Sequence, residues 1–94
     1  MKFVFTHICG REFGHACIEA IKNLDNFWVE TSANMEADIL QEAVDVLGSK
    51  RILFGTDWPY KPTNIEIQKL YHLGLDEDEL EDVFWRNAQF LWER

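Results

Sequence analysis

Basic residues are scarce in this chain. Nine Lys and Arg stand against seventeen Asp and Glu, a formal charge of −8 at pH 7. That balance repels phosphate backbones and anionic lipid surfaces over roughly 8–10 Å, so neither nucleic acid nor a membrane surface is an expected partner. Cysteine is scarce too: Cys9 and Cys17 are the only two. Two are too few for a disulfide scaffold, and both lie beside apolar residues, so the expectation is two reduced thiols in a cytoplasmic protein. No apolar run approaches the ~20 residues of a membrane span, and Met1 to His7 does not resemble a signal peptide. Repeats, linkers and low-complexity segments are also missing.

Large apolar side chains, by contrast, are plentiful. The chain has only 94 residues yet is 47% hydrophobic, with seven Phe, four Trp and two Tyr. A chain of this length folds as one domain at most and hides on the order of 60–65% of its unfolded surface. The surplus of apolar surface therefore points to a missing partner surface.

The hydrophobic pattern alternates between two periods. Lys2 to His7 reads as a strand with Phe3, Phe5 and His7 on one face. From Phe13 to Leu24, the residues Phe13, Cys17, Ala20, Ile21 and Leu24 recur at three and four, which predicts an amphipathic helix. Phe27 to Ser32 is a second strand. Met35 to Leu47 is a second helix, burying Ile39, Leu40, Ala43, Val44 and Leu47 and stopping at Gly48. Arg51 to Phe54 is a third strand. Thr63 with Glu66 predicts a capping box for a helix to about His72, ended by Gly74. Asp76 with Glu79 predicts another, stapled by Leu75 and Leu80. The acidic run Asp76 to Glu79, with Glu81 and Asp82, reads as a solvated helix start.

The order strand, helix, strand, helix, strand, helix, with further helices to Arg94, implies an α/β fold with a parallel sheet. Three strands alone leave two open edges and an uncovered face, so residues 1–94 read as a single partial domain that something else completes.

Chemistry in such folds gathers at the carboxyl ends of the strands. Asp57 continues a face made by Leu53 and Gly55. It is either a metal or proton-handling carboxylate or the cap of the turn before Trp58 and Pro59, and local spacing leaves both readings open. His7 ends the first strand, as a metal ligand, an acid/base or a hydrogen-bonded core residue. Two ionisable residues at the same end of neighbouring parallel strands favour a shared mouth. Glu30 and Ser32 end the middle strand as substrate contacts or helix caps, and Trp58 and Tyr60 are pocket walls or loop anchors.

Together these stretches carry a resemblance. His7-Ile8-Cys9-Gly10, Val29-Glu30-Thr31-Ser32, the run from Leu47 to Tyr60, and Asn87-Ala88-Gln89-Phe90-Leu91 occur in an order and spacing similar to the amidohydrolase-related metal-dependent hydrolases. That family includes lactonases, decarboxylases and hydratases on a distorted TIM barrel. The chain looks like its last three strands of eight, with Cys9 standing where the family usually has glycine. The resemblance implies that Asp57 binds the catalytic metal and handles the proton of its bound water. It implies that His7 faces the metal pocket and helps bind or protonate a small-molecule substrate, an organic acid or ester; Glu30, Trp58 and Tyr60 are the candidate substrate contacts from the strand-end reading. The expected cofactor is a divalent metal ion, zinc first.

The family's first-strand His-x-His or Glu-x-His pair and fifth-strand histidine have no counterpart here. The expectation is therefore a carboxyl-terminal segment, inactive alone, whose partner is a missing amino-terminal barrel half or an oligomer mate. Two other classes are considered: a non-catalytic α/β interaction domain, and a small zinc module built from His7, Cys9, His15 and Cys17.

Overall fold

Three short parallel strands rich in aromatic and β-branched residues form the centre of the chain: β1 (Phe3–Phe5), β2 (Phe27–Glu30) and β3 (Ile52–Leu53), in the order β1-β2-β3. The computed structural model describes residues 1–92, and for Cys9 the backbone only. Helices α1 (Gly10–Ile21) and α2 (Ala37–Leu47) make the two crossovers; α3 (Thr63–Tyr71), α4 (Glu77–Glu81), a π-helical turn (Asp82–Arg86) and α5 (Asn87–Trp92) follow β3. The α/β parallel-sheet reading therefore holds, with each strand shorter than its hydrophobic run. Residues 93 and 94, the end of the expected last helix, lie outside the described residues.

Phe5 pairs with Val29 and Val29 with Ile52, so this row shares one face of the sheet; Glu30 pairs with Leu53 on the other. Val29 and Ile52 are buried in a core with Ile8, Ile18, Ile21, Ile39, Leu40, Ala43 and Leu47. The opposite face carries Val4, Trp28 and Leu53. A groove of about 540 Å³ runs between Val4 and Leu53 of that face and Ala88, Leu91 and Trp92 of α5. Among the described residues β1 and β3 each have one neighbour, leaving both outer edges open.

The second helix buries Ile39, Leu40, Ala43 and Leu47 as its periodicity predicts, with Val44 half-buried, and ends at Gly48 with φ +81°. The first helix is corrected. Its buried residues are Gly14, Ile18 and Ile21, while Phe13 and Leu24 are exposed. The reason is close approach: a Cβ on Gly14 would lie 2.7 Å from Ile39 Cγ2, so the missing side chain fixes the contact face. The capping box at Thr63 is also absent, because Pro62 caps α3 and the Glu66 carboxylate is used elsewhere. The second box is present: Glu79 N donates to Asp76 Oδ1 (2.8 Å) and Asp76 N to Glu79 Oε1 (3.1 Å). Leu75 and Leu80 both pack against the core.

Two polar side chains hold the sheet's lower end. Arg51 donates to the carbonyls of Ile21, Lys22 and Phe27 at 3.0–3.1 Å, closing the end of α1 and the entry to β2. Buried Asn87 donates to Ser49 O (2.6 Å) and Ile52 O (2.7 Å), tying α5 to β3. No helix among the described residues is long and apolar enough to cross a membrane.

Candidate active site

Among the described residues, four other than glycine adopt left-handed backbone: His7 (φ 58°), Ile8 (φ 45°), Ala33 (φ 60°) and Asp57 (φ 54°). All four lie in loops that leave the carboxyl end of a strand. His7 and Ile8 follow β1 in the 3-10 turn Thr6–Cys9, Ala33 follows β2, and Asp57 follows β3. Each such residue costs on the order of 1–3 kcal/mol, and Ile8, β-branched and fully buried, is a genuine outlier. Strain of this kind persists only where surrounding structure over-determines it, and here it concentrates on one rim.

The left-handed turn corrects the alternation argument for His7. Continued extension would carry His7 onto the face of Phe5 and Val29, against the helices, and Asp57 onto the face of Leu53, away from it. The strand instead stops at Phe5, and the turn brings the His7 ring over β2. Nδ1 lies 2.7 Å from Ser32 O, 3.0 Å from Ser32 Oγ and 4.0 Å from Glu30 Oε1. A carbonyl can only accept, so Nδ1 carries a proton, and in the neutral ring the lone pair is on Nε2.

Glu30 ties the three loops together. Its Oε1 accepts from the His7 backbone N–H (3.2 Å) and from the Ser32 hydroxyl (2.8 Å). Its Oε2 occupies the space beside Gly55, where an added Cβ would fall 1.6 Å away. The side chain is 17% exposed, with Oε1 taking both hydrogen bonds. Asp57 lies two residues beyond Gly55 and is half-buried. The turn's side-chain acceptor is the Thr56 hydroxyl, which receives Trp58 N–H at 3.2 Å, and Tyr60 N–H goes to the Asp57 carbonyl at 2.9 Å. The Asp57 carboxylate makes no hydrogen bond or ion pair among the described residues, so it does not cap the turn. Trp58 and Tyr60, flanking the cis peptide before Pro59, are 74% and 81% exposed and are not packed against the rim.

The rim thus offers an imidazole Nε2 and an unengaged carboxylate, both ordinary donors to a divalent ion. They fit such an ion as part of a ligand set: no group of three or more His, Cys, Asp or Glu among the described residues could hold a metal. The zinc-module reading is not supported. His15 lies on the outer side of α1, bonded to Glu42 Oε2 (2.5 Å) and Asp38 Oδ2 (3.0 Å) of α2. Cys17 is disulfide-bonded, which also corrects the reduced-thiol expectation for that residue. The side chain of Cys9 lies outside the described residues. Sequence reasoning left the parts of Glu30 and Ser32 open and missed Gly55 in this site; only the register, which sets Glu30 opposite Leu53, brings Glu30 and Gly55 together.

A family model described as amidohydrolase matches residues 1–94. Gamma-resorcylate decarboxylase of Polaromonas sp. is 32% identical over 68 residues, covering 72% of this chain and 21% of that protein. The same enzyme of Rhodococcus jostii is 42% identical over 40 residues, 43% of this chain and 12% of that protein. Among solved structures, 2,6-dihydroxybenzoate decarboxylase from Rhizobium superposes with a TM-score of 0.65 at 27% identity, over 79% of this chain and 22% of that one. A zinc-bound amidohydrolase from Burkholderia multivorans gives a TM-score of 0.77 at 15% identity, over 95% and 43%, a likeness of fold alone. The chain spans 21% of the Polaromonas enzyme and 22% of the Rhizobium structure. Matched along its whole length, the chain belongs to the amidohydrolase family.

Proposed function

We propose that this chain forms the rim of β1–β3 in the active site of a metal-dependent amidohydrolase of the decarboxylase type, with Asp57 and His7 as its reacting groups. The observation that carries the reading is the rim itself. Glu30 bonds the His7 amide and packs beside Gly55, and two residues further on stands Asp57, whose carboxylate has no hydrogen-bond or ion-pair partner among the described residues. The relatives add the reaction class: they are decarboxylases of hydroxybenzoate-type acids, and one has been solved with manganese and 2-nitroresorcinol. A small aromatic acid is the proposed substrate.

Removing CO2 from an aryl acid breaks the bond between ring and carboxylate and leaves the electron pair on the ring carbon. A proton must reach that carbon. Asp57 supplies it and is recharged from water. His7, with Nδ1 held as a donor to Ser32, keeps the lone pair of Nε2 turned to the divalent ion. Trp58 and Tyr60 supply aromatic surface beside Asp57 for the ring. A divalent ion, zinc or manganese, would be held in part by His7 Nε2 and Asp57 and would act as a Lewis acid on the substrate's oxygens.

A catalytic zinc normally keeps three protein ligands, so the remaining donors come from polypeptide added along the open edges of β1 and β3. Residues 1–94 are then a partial domain, inactive alone. Co-expression with an amino-terminal amidohydrolase segment tests this. The complex should take up a divalent metal and release CO2 from 2,6-dihydroxybenzoate, and Asp57→Asn should lower turnover at least 100-fold, the low end of a proton-transfer contribution of about 10²–10⁴. Full turnover in Asp57→Asn would remove the reading.

A further inference from the structure

The segment that orients His7 is itself gripped from the far side by a buried ion pair. Lys69 and Glu66, one turn apart on α3, are 8% and 1% exposed and lie 2.7 Å apart. The Lys69 ammonium has three protons and three acceptors: Glu66 Oε1, Thr31 O (2.8 Å) and Asn34 O (2.8 Å). Glu66 Oε1 also accepts from Ala33 N at 3.3 Å. The pair therefore holds residues 31, 33 and 34 by their backbones. Between them sit left-handed Ala33 and Ser32, whose carbonyl and hydroxyl receive His7 Nδ1. Asn34 completes the grip, its Nδ2 donating to His7 O at 2.9 Å.

Burying two charges is an inefficient way to fasten a helix, since apolar side chains of the same volume do so at lower desolvation cost. The charges make sense if what must be fixed is polar backbone in a strained loop. We propose that the Glu66–Lys69 pair is a positioning device for the His7 imidazole, acting through the Thr31–Asn34 loop to keep the proton on Nδ1 and the lone pair on Nε2. The proposal rests on the reading of His7 as a reacting group. Its consequence, the tautomer, is visible without substrate or metal.

The test is side-chain 15N NMR of the histidines in the full chain, with His15→Gln and His72→Gln providing assignment. Wild type should show His7 with its proton on Nδ1. In the volume-matched double variant Glu66→Gln/Lys69→Met, His7 should lose that preference and shift toward the Nε2–H form favoured by free imidazole. Lys69→Arg, which can still reach both carbonyls, should retain it. A folded double variant whose His7 keeps the Nδ1 proton would overturn the proposal, because a merely structural pair would leave the tautomer unmoved. If the double variant does not fold, Glu66→Gln alone is read the same way: a partial shift supports the device and no shift overturns it. Loss of turnover in Asp57→Asn tests the decarboxylase reading separately, so the two can fail independently.

Discussion

The Glu30 carboxylate fills the space that a side chain at Gly55 would need, with Oε2 at 1.6 Å from the position of an added Cβ. Glycine at 55 is thus required by a neighbour's acid rather than by its own backbone angle. Gly55→Ala should displace Glu30 from the His7 amide and the Ser32 hydroxyl, costing about 1–3 kcal/mol in urea denaturation. In a Glu30→Ala background the same change should cost under about 0.5 kcal/mol, since the clash and the bonds are already gone. Equal costs in both backgrounds would show that Glu30 and Gly55 are not coupled.

Asn87 lies in a stretch that reads as family resemblance, and its physical reason is the pair of carbonyls it satisfies, Ser49 O and Ile52 O. Asn87→Ala leaves both buried without that donor. We expect a loss of about 1–3 kcal/mol, read by chemical denaturation. Asn87→Asp should be worse, because it places an acceptor against two acceptors.

The His15 contact between α1 and α2 makes a pH-dependent contribution. Hydrogen bonds donated by the His15 ring to Glu42 first, and then to Asp38, raise the His15 pKa above 6.5, and the bond from His15 lowers that of Asp38 below 3.8. The histidine's contribution is complete below pH 6.5 and is lost as pH rises through the raised value. The aspartate's is complete above pH 3.8 and is lost as pH falls through the lowered value. The contact is exposed, so the effect is modest. Melting temperature should fall slightly from pH 6 to pH 8 in wild type and show less of that fall in His15→Gln. An unchanged slope in His15→Gln would refute the assignment.

How much was legible beforehand follows from which forces act locally. The three strands, the second helix with its stop at Gly48, and the Asp76–Glu79 cap are set by period, turn residues and short-range bonds, and all were readable. The first helix's stripe departs from its apolar spacing because Gly14 marks a close approach to Ile39, and a pattern that counts apolar bulk treats glycine as a blank. Thr63 and Glu66 have the spacing of a capping box. Glu66 is drawn away by Lys69 and Ala33 N, a tertiary partner that no local rule contains. Alternation sets His7 on a strand face, whereas left-handed backbone decides its direction. That strain, and the neighbours that sustain it, appear only when three loops are brought together.

The proposed site takes His7 from the loop after β1 and Asp57 from the loop after β3, on either side of β2. Its most direct test is a double-mutant cycle on manganese affinity in the reconstituted barrel, using His7→Ala, Asp57→Asn and the pair, measured by titration calorimetry. A shared ion predicts that the two losses overlap, with a coupling of at least about 1 kcal/mol. Losses that add to within about 0.5 kcal/mol would mean that the two groups act on separate sites, and would contradict the account.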